Sequence, residues 1–175
     1  VAVLATSYES AVKARDALKI TWALGPNTGV STESIFRDFA AKAKDGAGAI
    51  EWSKAGDIKA GLAGAARVYE ATYMTDYVAH MQMEPMNCVA RFEGGVYDLY
   101  TGSQFQTLAM GTLAAVLKTD QKNIRIHQHY LGGGFGRRLD ADIILEAAII
   151  AREAGRPVKL IRSREEDLRR DFYRS

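Results

Sequence analysis

The run Gly132-Gly133-Gly134-Phe135-Gly136 is the most chemically suggestive stretch of the chain. Four glycines in five positions strip side chains from the backbone. Such a stretch reaches left-handed dihedrals and lets a bulky ligand approach main-chain N–H groups. It lies between a predicted strand and a predicted helix, a place where phosphates bind in dinucleotide folds. The dinucleotide fingerprint G-x-G-x-x-G fails, because its last glycine would fall on Arg137. The P-loop fails too, for want of Gly-Lys-Ser/Thr. Asp140 and Asp142 would also repel a phosphate at the next helix start. Two readings stay open: a flexible turn, or a backbone cradle for a ligand with Arg137 and Arg138 supplying charge.

Other residues offer weaker chemistry. His127 and His129 share one strand face, a spacing that suits zinc or copper if His80, Glu84 or Cys88 supplies a third ligand. Ordinary strand histidines are the better reading, and no metal ligands are assigned. Glu84 can serve as a general base or as a buried hydrogen-bond anchor; with no partner nucleophile in view, the anchor is favoured. The methionines around it read as packing, and Cys88 as a buried apolar residue. Gln104 and Gln106 flank a helix start, where a side-chain amide either donates to a ligand oxygen or simply caps the helix. The Arg- and acid-rich tail from Arg162 to Arg174 reads as a solvated helix face or a subunit contact.

The elements that must position these residues are mixed strands and helices. Residues 1–7 read as a strand, 8–18 as a helix and 19–22 as a strand, with a break at Gly25-Pro26-Asn27-Thr28-Gly29. Ser31 can cap a helix running to about Lys44, residues 45–48 form a loop, and 57–66 are weakly helical. Residues 67–103 read as β structure, with Gly94-Gly95 as a two-residue hairpin turn. A helix over 104–118 and a strand over 124–130 lead to the glycine block. A helix over 140–154, ended by Gly155 and Pro157, leads to a strand over 158–162 and a last helix over 165–170.

Composition sets the bounds. The chain has 175 residues, 47% of them hydrophobic and 25% charged, which is ordinary for a globular domain. A formal charge of +2 argues for no nucleic-acid partner. One Cys excludes a disulfide framework, a zinc finger and a self-contained iron–sulfur site. No apolar run is long enough for a transmembrane segment. The chain opens on Val1 rather than Met and is expected to be a piece of something larger.

Taken together, three motifs carry a resemblance. His80-x-x-x-Glu84-Pro85, then Gly102-Ser103-Gln104, then the glycine block, in this order and spacing, resemble the large subunit of molybdenum hydroxylases. This is the xanthine dehydrogenase and aldehyde oxidase superfamily. Met83-Glu84-Pro85-Met86-Asn87-Cys88 and the tail from Ser163 to Arg174 are similar to its isoquinoline 1-oxidoreductase beta branch. The resemblance implies an α+β fragment of the molybdopterin-binding region. Residues 1–22 would close a hammerhead-like α/β domain, and 23–175 would begin the molybdopterin cofactor-binding domain.

The implied activity is an oxidoreductase that hydroxylates an N-heterocycle or aldehyde with water as oxygen source. The implied cofactor is a molybdenum-bearing molybdopterin, with the cytosine dinucleotide as one form. The 2Fe-2S clusters would sit on an iron–sulfur small subunit, the partner of the large subunit of which this chain is part. By position, Gln104 matches the glutamine that hydrogen-bonds the metal's apical oxo ligand. Gly133, Gly134, Phe135 and Gly136 match the loop against the cofactor, with Arg137 to neutralise a phosphate or shape the pocket. Leu139 stands where the purine-oxidising branch has a glutamate, so xanthine is not the expected substrate. The family's general base lies outside this stretch, and its role passes to neither Glu84 nor Glu146; the fragment alone is expected to be inactive. A bacterial protein is implied, cytoplasmic or periplasmic. The alternative is a non-catalytic nucleotide- or dinucleotide-binding module using Gly132–Gly136.

Overall fold

The computed structural model describes residues 1–46 and 48–174, which form two compact units. Val3–Asp76 make one unit; Val1–Ala2 and the chain from Tyr77 onward make the other. The first holds helices α1 (Tyr8–Asp16), α2 (Thr32–Asp45) and α3 (Ile58–Ala63). Serine starts the first two. Ser7 Oγ accepts from Ser10 N–H at 3.2 Å, and Ser31 and Ser34 close a reciprocal capping box. Helix α2 ends on Gly46 in the left-handed region, at φ +67°. It thus takes Asp45 from the expected 45–48 loop, in which Ala47 lies outside the described residues.

None of the strands expected in this unit is present. Residues 1–7, 19–22 and 67–76 carry apolar or alternating sequence but no ladder. A strand needs a neighbouring edge for its N–H and C=O groups, and alternation alone does not supply one. No described residue of Val3–Asp76 is buried, and Trp22, Trp52 and Tyr73 are largely exposed.

The second unit is a sheet with helices. Strands β1 (Asn87–Glu93) and β2 (Val96–Thr101) form the expected hairpin, with Gly94 and Gly95 at φ +56° and +81°, as a two-residue turn of this hand requires. Helix α4 (Gln106–Leu117) then leads to β3 (Ile124–Gln128), which runs parallel to β2. Helix α5 (Asp142–Ala154) leads to β4 (Val158–Ile161), antiparallel to β1, and α6 (Arg164–Arg169) follows. The sheet order is β3-β2-β1-β4. Helix α5 packs on β1. Small buried residues line both, Cys88 and Ala90 on the strand and Ala147, Ala148 and Ala151 on the helix.

The segment before β1 departs most from its expected β structure. Beyond an isolated bridge between Val78 and Arg174, residues 77–86 form no strand. Side chains satisfy their backbone groups instead. Arg164 donates to the carbonyls of Gln82 and Met83 at 2.7 and 2.9 Å, and Arg138 to that of Glu84 at 2.8 Å. Asp167 accepts from Met86 N–H at 3.4 Å. With these groups already paired, the ladder has nothing to gain here.

Asp142, at the start of α5, joins the helix to its surroundings. It accepts from Arg137 Nη1 and Nη2 at 2.9 and 2.7 Å and from Arg162 Nη2 at 2.9 Å. Burial works to raise its pKa, but the hydrogen bond and charge of Arg137, with Arg162, win and hold it below the usual carboxylate range. A depressed carboxylate stabilises the fold above its unfolded pKa, and that contribution is lost as pH falls through the folded value.

Two outcomes follow for the folded protein. Asp142→Asn should cost about 2 kcal/mol at neutral pH. The gap from the parent should close as pH drops below about 4; melting temperatures across pH measure it, and a pH-independent gap would contradict the pairing. Ala148→Leu should overpack the α5–β1 contact and cost about 1–3 kcal/mol in urea denaturation.

Candidate functional site

The glycine loop is fastened at both ends and open in the middle. At its start, Gly132 N–H donates to Glu84 Oε2 at 2.8 Å, and Glu84 N–H donates back to the Gly132 carbonyl at 3.0 Å. A Cβ on Gly132 would collide with the Glu84 Cβ. At its end, Gln104 Oε1 accepts from the N–H groups of Gly136 and Arg138 at 3.0 and 3.2 Å. Gln104 N–H also donates to the Arg138 carbonyl at 2.9 Å. These bonds take Gln104 out of the expected 104–118 helix, which starts at Gln106 instead. A Cβ on Gly134 would lie 2.6 Å from Gln104 Cδ, so this close approach requires glycine.

Between the fastenings, the N–H groups of Gly133, Gly134 and Phe135 have no hydrogen-bond partner among the described residues. Gln104 Nε2 has none either. Phe135 sits at φ +53°, a region that costs a non-glycine residue energy, and its ring is 73% exposed. The loop therefore offers a row of donors beside an outward aromatic ring. Such consecutive N–H groups favour an oxygen-rich or anionic ligand.

Two buried arginines stand under the loop, each 1% exposed. Arg138 donates through Nε to the Gly133 carbonyl at 2.9 Å and through Nη2 to Glu84 Oε2 at 2.9 Å. Burial lowers its pKa, against the raising effect of Glu84 and Asp167. Its Nη1 is buried without a partner. Glu84 is the anchor rather than a base. Its Oε1 accepts from Asn87 at 2.9 Å, and burial is outweighed by Asn87, Gly132 and Arg138, leaving its pKa lowered. Of the two roles expected of Arg137, the surroundings favour shaping the pocket. Its guanidinium faces Asp142, lies 3.4 Å from Asp171 and stacks 4.5 Å from the Phe172 ring centroid. With its charge already matched by carboxylates, it is committed to the fold and not offered to a phosphate. The same pairing answers the expected repulsion by Asp142, whose charge Arg137 and Arg162 neutralise.

Asp171 and His80 meet beside the loop. His80 N–H donates to Asp171 Oδ2 at 2.6 Å, and Nδ1 lies 2.8 Å from Oδ1. Their side chains are 6% and 4% exposed. Burial of Asp171 is outweighed by the His80 backbone N–H and ring, so its pKa is lowered. A Cβ on Gly136 would stand 3.7 Å from His80 Nε2.

The remaining candidates are occupied elsewhere. His127 Nε2 lies 3.0 Å from Asp98 Oδ1, and its ring stacks on Tyr100 at 4.2 Å. His129 lies beside the same ring, tilted, at 6.2 Å. Cys88 is fully buried, and burial pushes its thiol up to about 12. Gln106 donates to the Ser103 carbonyl at 3.4 Å, a local cap. Among the described residues, no three His, Cys, Asp or Glu groups gather to hold a metal directly.

Sequence reasoning missed the His80–Asp171 pair and the role of Asp167, whose Oδ2 accepts from Gln82 at 3.0 Å. His80 and Asp171 are 91 residues apart, beyond the reach of any periodicity argument.

Comparison with known proteins fits this geometry to a family. The family model of the molybdopterin cofactor-binding domain matches residues 40–175, well over half the chain. The membrane-bound aldehyde dehydrogenase (pyrroloquinoline-quinone) of Gluconacetobacter polyoxogenes is 35% identical over the whole chain, which covers 23% of that protein. The isoquinoline 1-oxidoreductase subunit beta of Brevundimonas diminuta is 35% identical over 62% of the chain and 14% of its own length. The crystal structure of quinoline 2-oxidoreductase from Pseudomonas putida 86 superposes with TM-score 0.55 and 27% identity, over 60% of this chain and 14% of that one. The chain thus spans under a quarter of the length of these two relatives. No helix among the described residues is long and apolar enough to cross a membrane. The cradle of glycines, its free N–H row and the matched residues together show that this chain belongs to the molybdopterin cofactor-binding domain family.

Proposed function

We propose that this chain forms part of the molybdenum-cofactor site of an oxidoreductase that hydroxylates an N-heterocycle or an aldehyde, with water as the oxygen source. One observation carries it: the unpartnered N–H groups of Gly133, Gly134 and Phe135 lie beside the unpartnered Nε2 of Gln104. The residues present fit the group. Donors without side chains can bind an oxygen- and sulfur-rich cofactor closely, and the loop is held open by bonds that the cofactor need not replace. When bound, the cofactor supplies the two-electron redox centre.

This chain's own residues bind and orient. Gln104 keeps Oε1 on the loop and donates from Nε2 to an oxygen ligand of the metal. Gly133, Gly134, Phe135 and Gly136 form the wall against the cofactor, and the exposed Phe135 ring excludes water from one side. Arg137 shapes the pocket from beneath through Asp142 and Asp171. The general base is assigned to no residue here.

The wider reading follows the relatives. Residues 1–22 would close a preceding α/β domain, and 23–175 begin the cofactor domain, with the rest of the large subunit completing the envelope. An iron–sulfur small subunit carrying 2Fe-2S clusters would take the electrons, and the cytosine dinucleotide is the cofactor form proposed. The two aligned relatives are bacterial, and a cytoplasmic or periplasmic bacterial enzyme is the setting proposed.

The test is cofactor analysis of the full-length complex. Stoichiometric molybdenum with cytosine nucleotide released by acid supports the reading. Pyrroloquinoline quinone, NAD, FAD or ATP in place of molybdenum overturns it. Within the same complex, Gln104→Glu keeps the acceptor for Gly136 and Arg138 but deletes the Nε2 donor. It should lower kcat at least tenfold with little change in melting temperature; unchanged turnover would remove Gln104 from the site.

A further inference from the structure

His80 has one ring nitrogen tied down and one left free at the loop. We propose that His80 is a binding residue for the pterin of the cofactor, to which Nε2 hydrogen-bonds, and that Asp171 is the positioning residue that aims it. This assignment rests on the function proposed above.

Three observations carry it. Asp171 Oδ1 lies 2.8 Å from Nδ1, and a carboxylate at this depth can only accept, so Nδ1 carries the proton. With Nδ1 committed to Asp171, Nε2 is the ring nitrogen left to a ligand. Second, the side chain is 6% exposed, yet Nε2 has no hydrogen-bond partner among the described residues. Nε2 is therefore the one polar atom of this otherwise enclosed ring left open for a ligand. Third, Nε2 faces the space above Gly136, where a Cβ would come within 3.7 Å. The missing side chain leaves that space to a ligand lying on the loop.

The geometry around Asp171 is built to hold this aim. Its Oδ2 takes the His80 N–H at 2.6 Å, and its Oδ1 takes the Phe172 N–H at 2.8 Å. Val78 and Arg174 exchange backbone bonds of 2.7 and 3.0 Å, which clamps the two segments on either side. Arg137 lies against both Asp171 and Phe172. A ring held at so many points presents Nε2 in one direction.

Two variants of the full-length complex separate binding from a structural role. An Asn amide reaches about as far as Nδ1, and a Gln amide about as far as Nε2. His80→Asn therefore keeps the bond to Asp171 and loses the ligand contact. His80→Gln loses the tether and keeps a contact at the loop. The readouts are molybdenum by mass spectrometry and pterin by fluorescence of its oxidised form, after gel filtration in mild denaturant, alongside the melting temperature of cofactor-free protein.

The expected order is the parent first, His80→Gln second because it keeps a contact at the loop without the Asp171 aim, and His80→Asn last, retaining about tenfold less than the parent at an unchanged melting temperature. A purely structural His80 gives the reverse order, with His80→Asn like the parent and His80→Gln depleted, and that overturns the assignment. Should His80→Asn fail to fold, His80→Gln decides alone: partial retention supports the assignment, and retention equal to the parent or complete loss overturns it. A parent complex with no molybdenum and no pterin overturns the proposed function and this assignment with it. A parent that holds both, beside an equally loaded His80→Asn, overturns this assignment alone.

Discussion

Arg137 and Arg138 place two positive charges side by side in the interior, each 1% exposed. A buried guanidinium is tolerated only if carboxylates and carbonyls meet it. Glu84 answers Arg138, and Asp142 and Asp171 answer Arg137. Those partners come from four separate places: the segment before β1, the start of α5, the turn after α6 and the glycine loop's own carbonyls. Satisfying the two arginines therefore draws these segments to one spot. Relaxing either charge would release the loop above it.

The loop gains its chemistry from what this arrangement leaves undone. Glu84 and Gln104 use their oxygens on Gly132, Gly136 and Arg138, so the loop's ends are fixed without consuming its middle donors. Three N–H groups in succession are thereby left without a protein partner and open to a ligand. Glycine keeps side chains off the face that a ligand approaches, and Phe135 turns its ring outward at a left-handed φ that the glycines on either side accommodate. A cofactor that brings its own metal ligands requires a surface of donors rather than a cluster of His and Cys. The backbone and the Gln104 amide provide that surface.

Much of the second unit was legible in sequence because its signals are local. Gly94-Gly95 marked the hairpin, Gly155 ended α5, and the glycine block stood out by composition alone. In the first unit Ser31 marked the start of α2 by the same local logic. The expected strands at residues 1–7, 19–22 and 67–86 did not form, since alternation reports a half-buried face and does not by itself bring a segment to a sheet edge. The family resemblance singled out Gln104 and Gly133–Gly136, and the structure brings these residues into contact. Composition alone left a flexible turn equally open. The sequence left two roles open for Arg137, and its partners Asp142 and Asp171, which are seen only once the chain is folded, favour shaping the pocket. His80 and Asp171 lie too far apart in sequence to suggest each other.

The most direct test of this account is a crystal structure of the full-length complex with its cofactor bound. The N–H groups of Gly133, Gly134 and Phe135 should donate to cofactor atoms, with Glu84, Gln104 and Arg138 holding the loop as they do here. A cofactor seated elsewhere, with those N–H groups turned to protein or solvent, would contradict the claim that this loop is the cofactor's cradle.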